Sequence, residues 1–345
     1  MLKKILCGLT SSEIESLIEP FGFNNSHALK ISNSIYKKGV TDIQKIPGIP
    51  KKLKELLSDI SETGLNKPVA SEVSEDGSVK YLFRTDSGKT FETVYIPEKK
   101  RNTVCVSSQS GCKMGCSFCR TARYGFKCDL TAGEIINQII SIPSLEKITH
   151  VVFMGMGEPM DNLENVLKAC SIITSESGLA LSTKNITVST VGLLPGVVEF
   201  LERSECNLTF SLFSPFKEER SKAIPVEARF SADSIISLMK RYPLKKKRRL
   251  TIAYLMMHGI NDTDDHLEKL RYLLVDSAIR VNLLPYNPGP NDLNYPSLPE
   301  RMQYFKHSLV TSGISASIRK SRGADISAAC GLLASGLKQV IFNPC

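Results

Sequence analysis

The sequence predicts an α/β chain: an open or partial barrel of parallel strands, preceded by a small accessory region that is helical first and antiparallel β afterwards. Three observations predict it. From about residue 98 onward, short β-rich runs alternate with longer stretches of helical spacing, the signature of a parallel sheet with right-handed crossovers. Before that point the hydrophobic period changes near Val69 from helical to alternating. At 345 residues and 42% hydrophobic content, the chain can bury the core of one large domain or two. The expected division is an accessory region at 1–97 and a core domain at 98–345.

In order, Ser11–Ile18 has helical spacing behind a serine cap. A second helix is expected at about Ser26–Lys38 and a third at Lys51–Ile60, joined through the turn Ile46–Pro50. That turn either offers backbone amides to phosphates, as a helix–hairpin–helix does, or simply packs two helices together. Val73, Val79, Tyr81, Phe83, Phe91, Val94 and Ile96 fall in short extended segments. Asp76-Gly77 and Asp86-Ser87-Gly88 supply turns for a small antiparallel sheet. Barrel strands are expected at Val104–Ser107, His150–Met154, Ile186–Ser189, Asn207–Leu212, Leu250–Met256, Val281–Leu284 and Ile314–Ile318. Helices are expected at Thr131–Ser141, Asn162–Glu176, Ser231–Arg241, Asp264–Leu274 and Pro299–Ser312. Functional residues of such a sheet lie at the carboxyl ends of its strands.

Bulk properties narrow the function. A formal net charge of +9 suits a polyanionic partner. The ten cysteines are irregularly spaced in a long chain, unlike a secreted disulfide scaffold. No secretory signal or run of membrane-spanning length is visible, so a reducing cytoplasm is expected.

The chemistry centres on Gly111–Cys119, where Cys112, Cys116 and Cys119 stand at C-x3-C-x2-C spacing. A zinc site ordinarily wants four ligands, often as two C-x2-C knuckles, and no second knuckle follows. Three thiolates without a fourth suit a [4Fe–4S] cluster with one iron left open for a substrate. Met154–Pro159 directly follows a strand; its glycines allow close backbone approach, and Glu158 can accept from a cationic amine. Ser189 and Ser211 end strands, and Asn287 lies just past another. Cys330 and Cys105, read alone, are small buried hydrophobes.

The three-cysteine spacing resembles the signature of radical S-adenosylmethionine (SAM) enzymes. Cys105–Cys112, Phe153–Pro159 and Arg322–Gly331, with Glu92–Pro97 ahead of the barrel, together resemble the RlmN/Cfr family. The resemblance covers nearly the whole chain. It implies a partial (β/α)6-type radical SAM barrel that methylates adenosine in 23S rRNA, at carbon 2 in RlmN members, some of which also modify tRNA, and at carbon 8 in Cfr members. By matched position, Cys112, Cys116 and Cys119 would hold the cluster. Gly157, Glu158, Ser189, Ser211, Leu212, Phe213 and Asn287 would contact SAM. Cys330 would be the methylated cysteine, Cys105 the cysteine that resolves the intermediate, and Glu92 a proton-accepting carboxylate; from its sequence alone, Glu92 is equally an exposed strand residue.

The implied chemistry uses two SAM molecules per turnover. One methylates the Cys330 thiolate. The second is cleaved by one electron, and the resulting radical takes hydrogen from the Cys330 methyl group. The carbon radical adds to the electron-poor ring, a base removes the ring proton, and Cys105 attacks the Cys330 sulfur to free the product. A flavodoxin or ferredoxin as electron donor and a monomeric state are expected. Two departures stand out. Family members generally carry His where this chain has Phe213, and the chain has no Trp. Asn207–Leu212 and Glu218–Lys222 look more like Cfr, whereas Arg319–Ile326 looks more like RlmN; carbon 2 is the reading adopted, carbon 8 or a different acceptor the alternative. Lys245–Arg249 is either a solvated loop or a phosphate contact, and Arg120 and Arg123 are further candidates for RNA contact.

Overall fold

The computed structural model of the chain describes residues 3–143, 145–243, 248–289 and 292–334. Ten strands form one sheet. Its parallel part runs in sequence order: Thr103–Val106, His150–Phe153, Ile186–Thr190, Asn207–Ser211, Leu250–Met256, Arg280–Pro285 and Ala316–Ile318. Most of these strands are buried on both faces, which is why they read as near-continuous apolar runs. The edges do not meet, so the barrel is partial.

The antiparallel strands Ala70–Val73, Val79–Arg84 and Thr90–Ile96 continue this same sheet. Thr90–Ile96 pairs with Thr103–Val106, with Val94 opposite Cys105. Residue 97 therefore lies in the connection between two hydrogen-bonded strands.

The first three helices span Ser11–Ile18, Asn25–Lys38 and Lys51–Ile60. The cap of the first is Thr10, not a serine: its hydroxyl accepts from the Glu13 amide while Glu13 bonds back to the Thr10 amide. The helical region docks on the barrel through specific polar contacts. The Asn137 side chain bonds both the amide and the carbonyl of Asn66, at 2.9 and 2.8 Å, and Ser32 donates to the Ser177 carbonyl at 2.9 Å.

The remaining expected helices form, each within two residues of the expected ends. Three further helices lack a clear helical signal in the sequence. Leu194–Arg203 begins with Leu-Pro-Gly, which reads as a loop although Pro suits the first helical turn. Arg120–Tyr124 and Lys217–Ala223 are too short to show a period.

Candidate active site

The cysteine loop leaves the carboxyl end of the first parallel strand through Gln109–Ser110, which pairs with Cys128–Asp129. Gly111 has φ +82°, and a Cβ there would sit 1.8 Å from the Gly125 carbonyl oxygen, so only glycine lets the two arms close. Backbone bonds then fix the loop. The Ser117 amide donates to Ala223 O at 2.9 Å, Cys119 N to Cys116 O at 3.1 Å, and Arg120 N to Gly331 O at 2.9 Å. Cys112, Cys116 and Cys119 line one cavity as a result.

Among the described residues, no three His, Cys, Asp or Glu side chains converge tightly enough to hold a single metal ion. Three thiols facing one cavity, with no fourth cysteine among the described residues lining it besides Cys330, are a donor set of the kind that holds an iron–sulfur cluster. Burial pushes the Cys112 thiol up to about 12, and burial followed by the charges of Cys119 and Cys112 pushes Cys116 higher still. A coordinated metal reverses that tendency, because its charge ionises a bound thiol outright.

The Met154–Pro159 loop packs against Ser107–Gln109. Gly157 has φ +97°, and a Cβ there would meet Gln109 N at 2.7 Å. The Glu158 amide donates to Gln109 Oε1 at 2.9 Å. The Glu158 carboxylate is buried yet accepts from Met160 N at 3.1 Å and Val191 N at 3.0 Å. Burial, outweighing the Thr190 hydroxyl and those two amides, raises its pKa to about 7. An ammonium group beside it would favour the ionised form. Ser189 and Ser211 also line the cavity, their hydroxyls 3.4 Å apart.

Phe213 lines the cavity with φ +65°, its ring stacked on Phe118 at 5.2 Å and 4°. The departure from His thus exchanges a polar donor for an aromatic wall shared with the cysteine loop. Leu212 lies behind that wall, fully buried, with its carbonyl accepting from Arg220 Nε at 2.9 Å.

A second cavity adjoins the first, and Cys330 lines both; Cys105 lines only the second. Both thiols are free. Burial, then the charge on Cys330, pushes Cys105 up to about 12, with Arg319 opposing. Asn287 lines the second cavity and donates to the Cys330 carbonyl at 3.4 Å.

Glu92 lines neither cavity. It is 1% exposed, which excludes the surface-strand alternative. Its Oε2 accepts from Ala334 N at 2.7 Å, four residues beyond Cys330, while Oε1 has no partner. Burial raises its pKa against the Ala334 amide and the charges of Lys80 and Arg120.

Several residues of this region carry no sequence signal of their burial or their partners. Arg220 is fully buried; it bonds Val191 O at 2.7 Å and Ser211 O at 3.2 Å and pairs with Glu227. In sequence it is one charge among five in Lys217–Lys222, the pattern of a solvated face. The antiparallel extension grips the Cys330 loop. Buried Lys80 donates to Ile326 O, Asp76 accepts from Gly323 N at 2.9 Å, and Asp325 accepts from Ser74 Oγ at 2.6 Å and Glu75 N at 3.0 Å. Hydrogen bonds between residues some 250 positions apart leave no periodicity to find.

Of the basic run, Lys245–Lys247 lie outside the described residues. Arg248 is buried and bonds Leu201 O at 2.8 Å and Cys206 O at 3.0 Å, which makes it a structural anchor. Arg123 is engaged by Asp292 at 3.3 Å.

The Radical SAM superfamily model matches residues 106–271. A protein of Bacteroides thetaiotaomicron named probable dual-specificity RNA methyltransferase RlmN is 42% identical over 339 residues, 98% of each chain. A Geobacter sulfurreducens protein named dual-specificity RNA methyltransferase RlmN is 36% identical over 326 residues, 94% of this chain and 91% of the other. The crystal structure of a radical SAM methyltransferase from Sphaerobacter thermophilus superposes with a TM-score of 0.89 at 35% identity, covering 96% of this chain and 99% of that one.

Proposed function

The chain belongs to the RlmN family of radical SAM methyltransferases, and on that premise we propose that it methylates carbon 2 of an adenosine in 23S rRNA, with tRNA a second substrate, through a methylated Cys330. The family's cofactors are a [4Fe–4S] cluster and SAM. In this reading Cys112, Cys116 and Cys119 hold the cluster, which supplies the electron for reductive cleavage of SAM. Glu158 accepts the SAM ammonium, Gly157 lets the backbone approach it, Ser189 and Ser211 bond its polar groups, and Phe213 with Phe118 packs against it.

The observation that carries the proposal is that Cys330 borders both cavities while Cys105 borders one. A thiol loaded on the SAM side can meet a base on the other side. The resolving sulfur then waits where the product lies. Glu92, with an unpartnered oxygen and a raised pKa, has the properties of a proton acceptor, and its bond to Ala334 ties it to the Cys330 loop.

Anaerobic reconstitution followed by nucleoside mass spectrometry of treated 23S rRNA and tRNA tests the substrate. Expected is 2-methyladenosine. Appearance of 8-methyladenosine would shift the assignment to the Cfr-like alternative, which the likeness of Asn207–Leu212 to Cfr supports. Neither product would overturn RNA adenosine as the acceptor. For the sulfur roles, Cys105→Ala should accumulate a covalent RNA–protein adduct; release as fast as the parent's would rule the role out. The same reading brings a flavodoxin or ferredoxin as electron donor and a cytoplasmic monomer. No helix among the described residues is long and apolar enough to cross a membrane.

A further inference from the structure

The second cavity has an uneven charge. Arg101, Arg319, Lys320 and Arg322 line it against the single carboxylate of Glu98. Arg322 is occupied: it pairs with Asp76 at 3.3 Å and donates to Pro97 O at 3.0 Å. The other three make no ion pair within 4.0 Å among the described residues, and the Arg319 side chain donates only to the Met154 sulfur, at 3.5 Å. Arg101 and Lys320 are exposed. Arg249 adds its charge nearby: partial desolvation of the otherwise exposed guanidinium, then Arg319 and Arg249, hold the Arg101 pKa below its usual value against the pull of Glu98.

Three like charges lining one cavity with a single carboxylate among them are unfavourable in the free protein. They become favourable when an anion enters. The first cavity differs, since its lining has one cation, Arg319, and the buried carboxylate of Glu158. Arg101 and Lys320 therefore line only the cavity that Cys105 also lines, while Arg319 stands between the two.

We propose that Arg101, Arg319 and Lys320 form a phosphate-binding rim that holds the RNA backbone flanking the target adenosine, so that the base can pass between them toward Cys330. This rests on the reading of the chain as an RNA methyltransferase. Arg319 lines both cavities, so it also steers the base. Arg101 and Lys320 grip the backbone outside.

The test is RNA binding by the reconstituted protein as a function of salt, using 23S rRNA transcripts. Each phosphate contact contributes about 0.7 to 0.9 to the slope of log affinity against log salt. Arg101→Gln and Lys320→Gln should each lower the slope by about that amount and weaken binding several-fold at low salt. Arg101→Lys should keep the slope, and Glu98→Gln should not lower it. SAM cleavage without RNA should be unchanged in all four, because none touches the first cavity. Unchanged slopes in both glutamine variants, with wild-type protein binding and methylating the transcript, would overturn the rim alone. A wild-type protein that neither binds nor methylates RNA would overturn the functional reading, and the rim with it.

Discussion

The two cavities that meet at Cys330 are built differently. The first takes part of its wall from two contiguous stretches, the Gly111–Cys119 loop and the Met154–Pro159 loop, and the rest from strand ends around the barrel, backed by buried hydrogen bonds from Arg220 and to Glu158. The second gathers Arg101 and Cys105 from the first parallel strand and its lead-in and Asn287 and Arg319 from beyond two later strands, and of its cations only Arg322 is ion-paired among the described residues. A small ligand of fixed shape needs a rigid cradle. A long polyanion needs charge at the right spacing and tolerates mobile side chains. The dividing element, the Cys330 loop, lines both cavities and is held from the antiparallel extension.

Removing the support of the first cavity should have the largest effect. Arg220→Met leaves Glu227 buried with its Ala232 amide partner but no cation. Breaking such a pair costs about 3–5 kcal/mol. Urea unfolding should show that loss, and calorimetric SAM titration should show weakened binding, while RNA binding by the folded fraction persists. A loss below ~1 kcal/mol, or equal losses of both ligands, would dissolve the distinction between the walls.

Next comes the divider. Lys80→Met removes a charged donor from Ile326 O and leaves Glu72, at 34% side-chain exposure, free to solvate. A hydrogen bond from a charged group is worth about 1.5–3 kcal/mol, so methyl loading of Cys330, followed by intact-protein mass, should slow by roughly 10- to 100-fold. SAM affinity should hold, because Lys80 does not line the first cavity. Equal loss of SAM affinity would mean the extension supports both cavities.

The cavities should also differ in their response to pH. Glu158 titrates near pH 7 because burial raises it. Its ionised form pairs with an ammonium, so SAM affinity should climb up to tenfold per unit below that value and turn down again as the SAM α-ammonium loses its proton at about pH 8, and Glu158→Gln should flatten the rising limb. Cys105, pushed up to about 12, is overwhelmingly protonated at pH 7. Only the thiolate attacks, so decay of the RNA–protein adduct should keep accelerating, roughly tenfold per unit, through pH 9. An adduct whose decay levels off near pH 7 would point to a different rate-limiting step.

What could be read in the sequence follows the same division. The cysteine loop and the Gly157-Glu158 turn are compact because backbone and side chains must meet one ligand within a few residues, so the sequence shows them whole. The parallel strands are legible because burial on both faces leaves apolar runs. Arg220 is not legible, because a buried arginine in a charged helix looks like a solvated one until its three carbonyl partners are in place. Glu92 is legible as a strand position but not as buried, since its partner Ala334 lies 242 residues away. Asn287 is visible as a residue past a strand end, yet its bond to Cys330 depends on how the carboxyl-terminal loop folds back.

That fold-back is also where the smallest effect is expected. Burial alone would raise the Asp76 pKa, but hydrogen bonds from Ser78, Gly323 and Ser74 outweigh it and lower the value to about 2. A carboxylate depressed in the folded state stabilises above its unfolded pKa, near 4, and loses that contribution as pH falls toward about 2. Asp76 is exposed, so solvent screens most of its interaction with Arg322. Asp76→Ala should therefore cost only about 0.2–1 kcal/mol at pH 7, and the gap from wild type in thermal unfolding of the apoprotein should close below pH 3. The loop should respond more than the whole, because Asp76 holds Gly323 seven residues before Cys330. Alkylation of Cys330 by iodoacetamide should quicken in the variant while that of Cys105 does not. Equal acceleration at both thiols would mean that the extension stabilises the sheet generally and does not hold the dividing loop in particular.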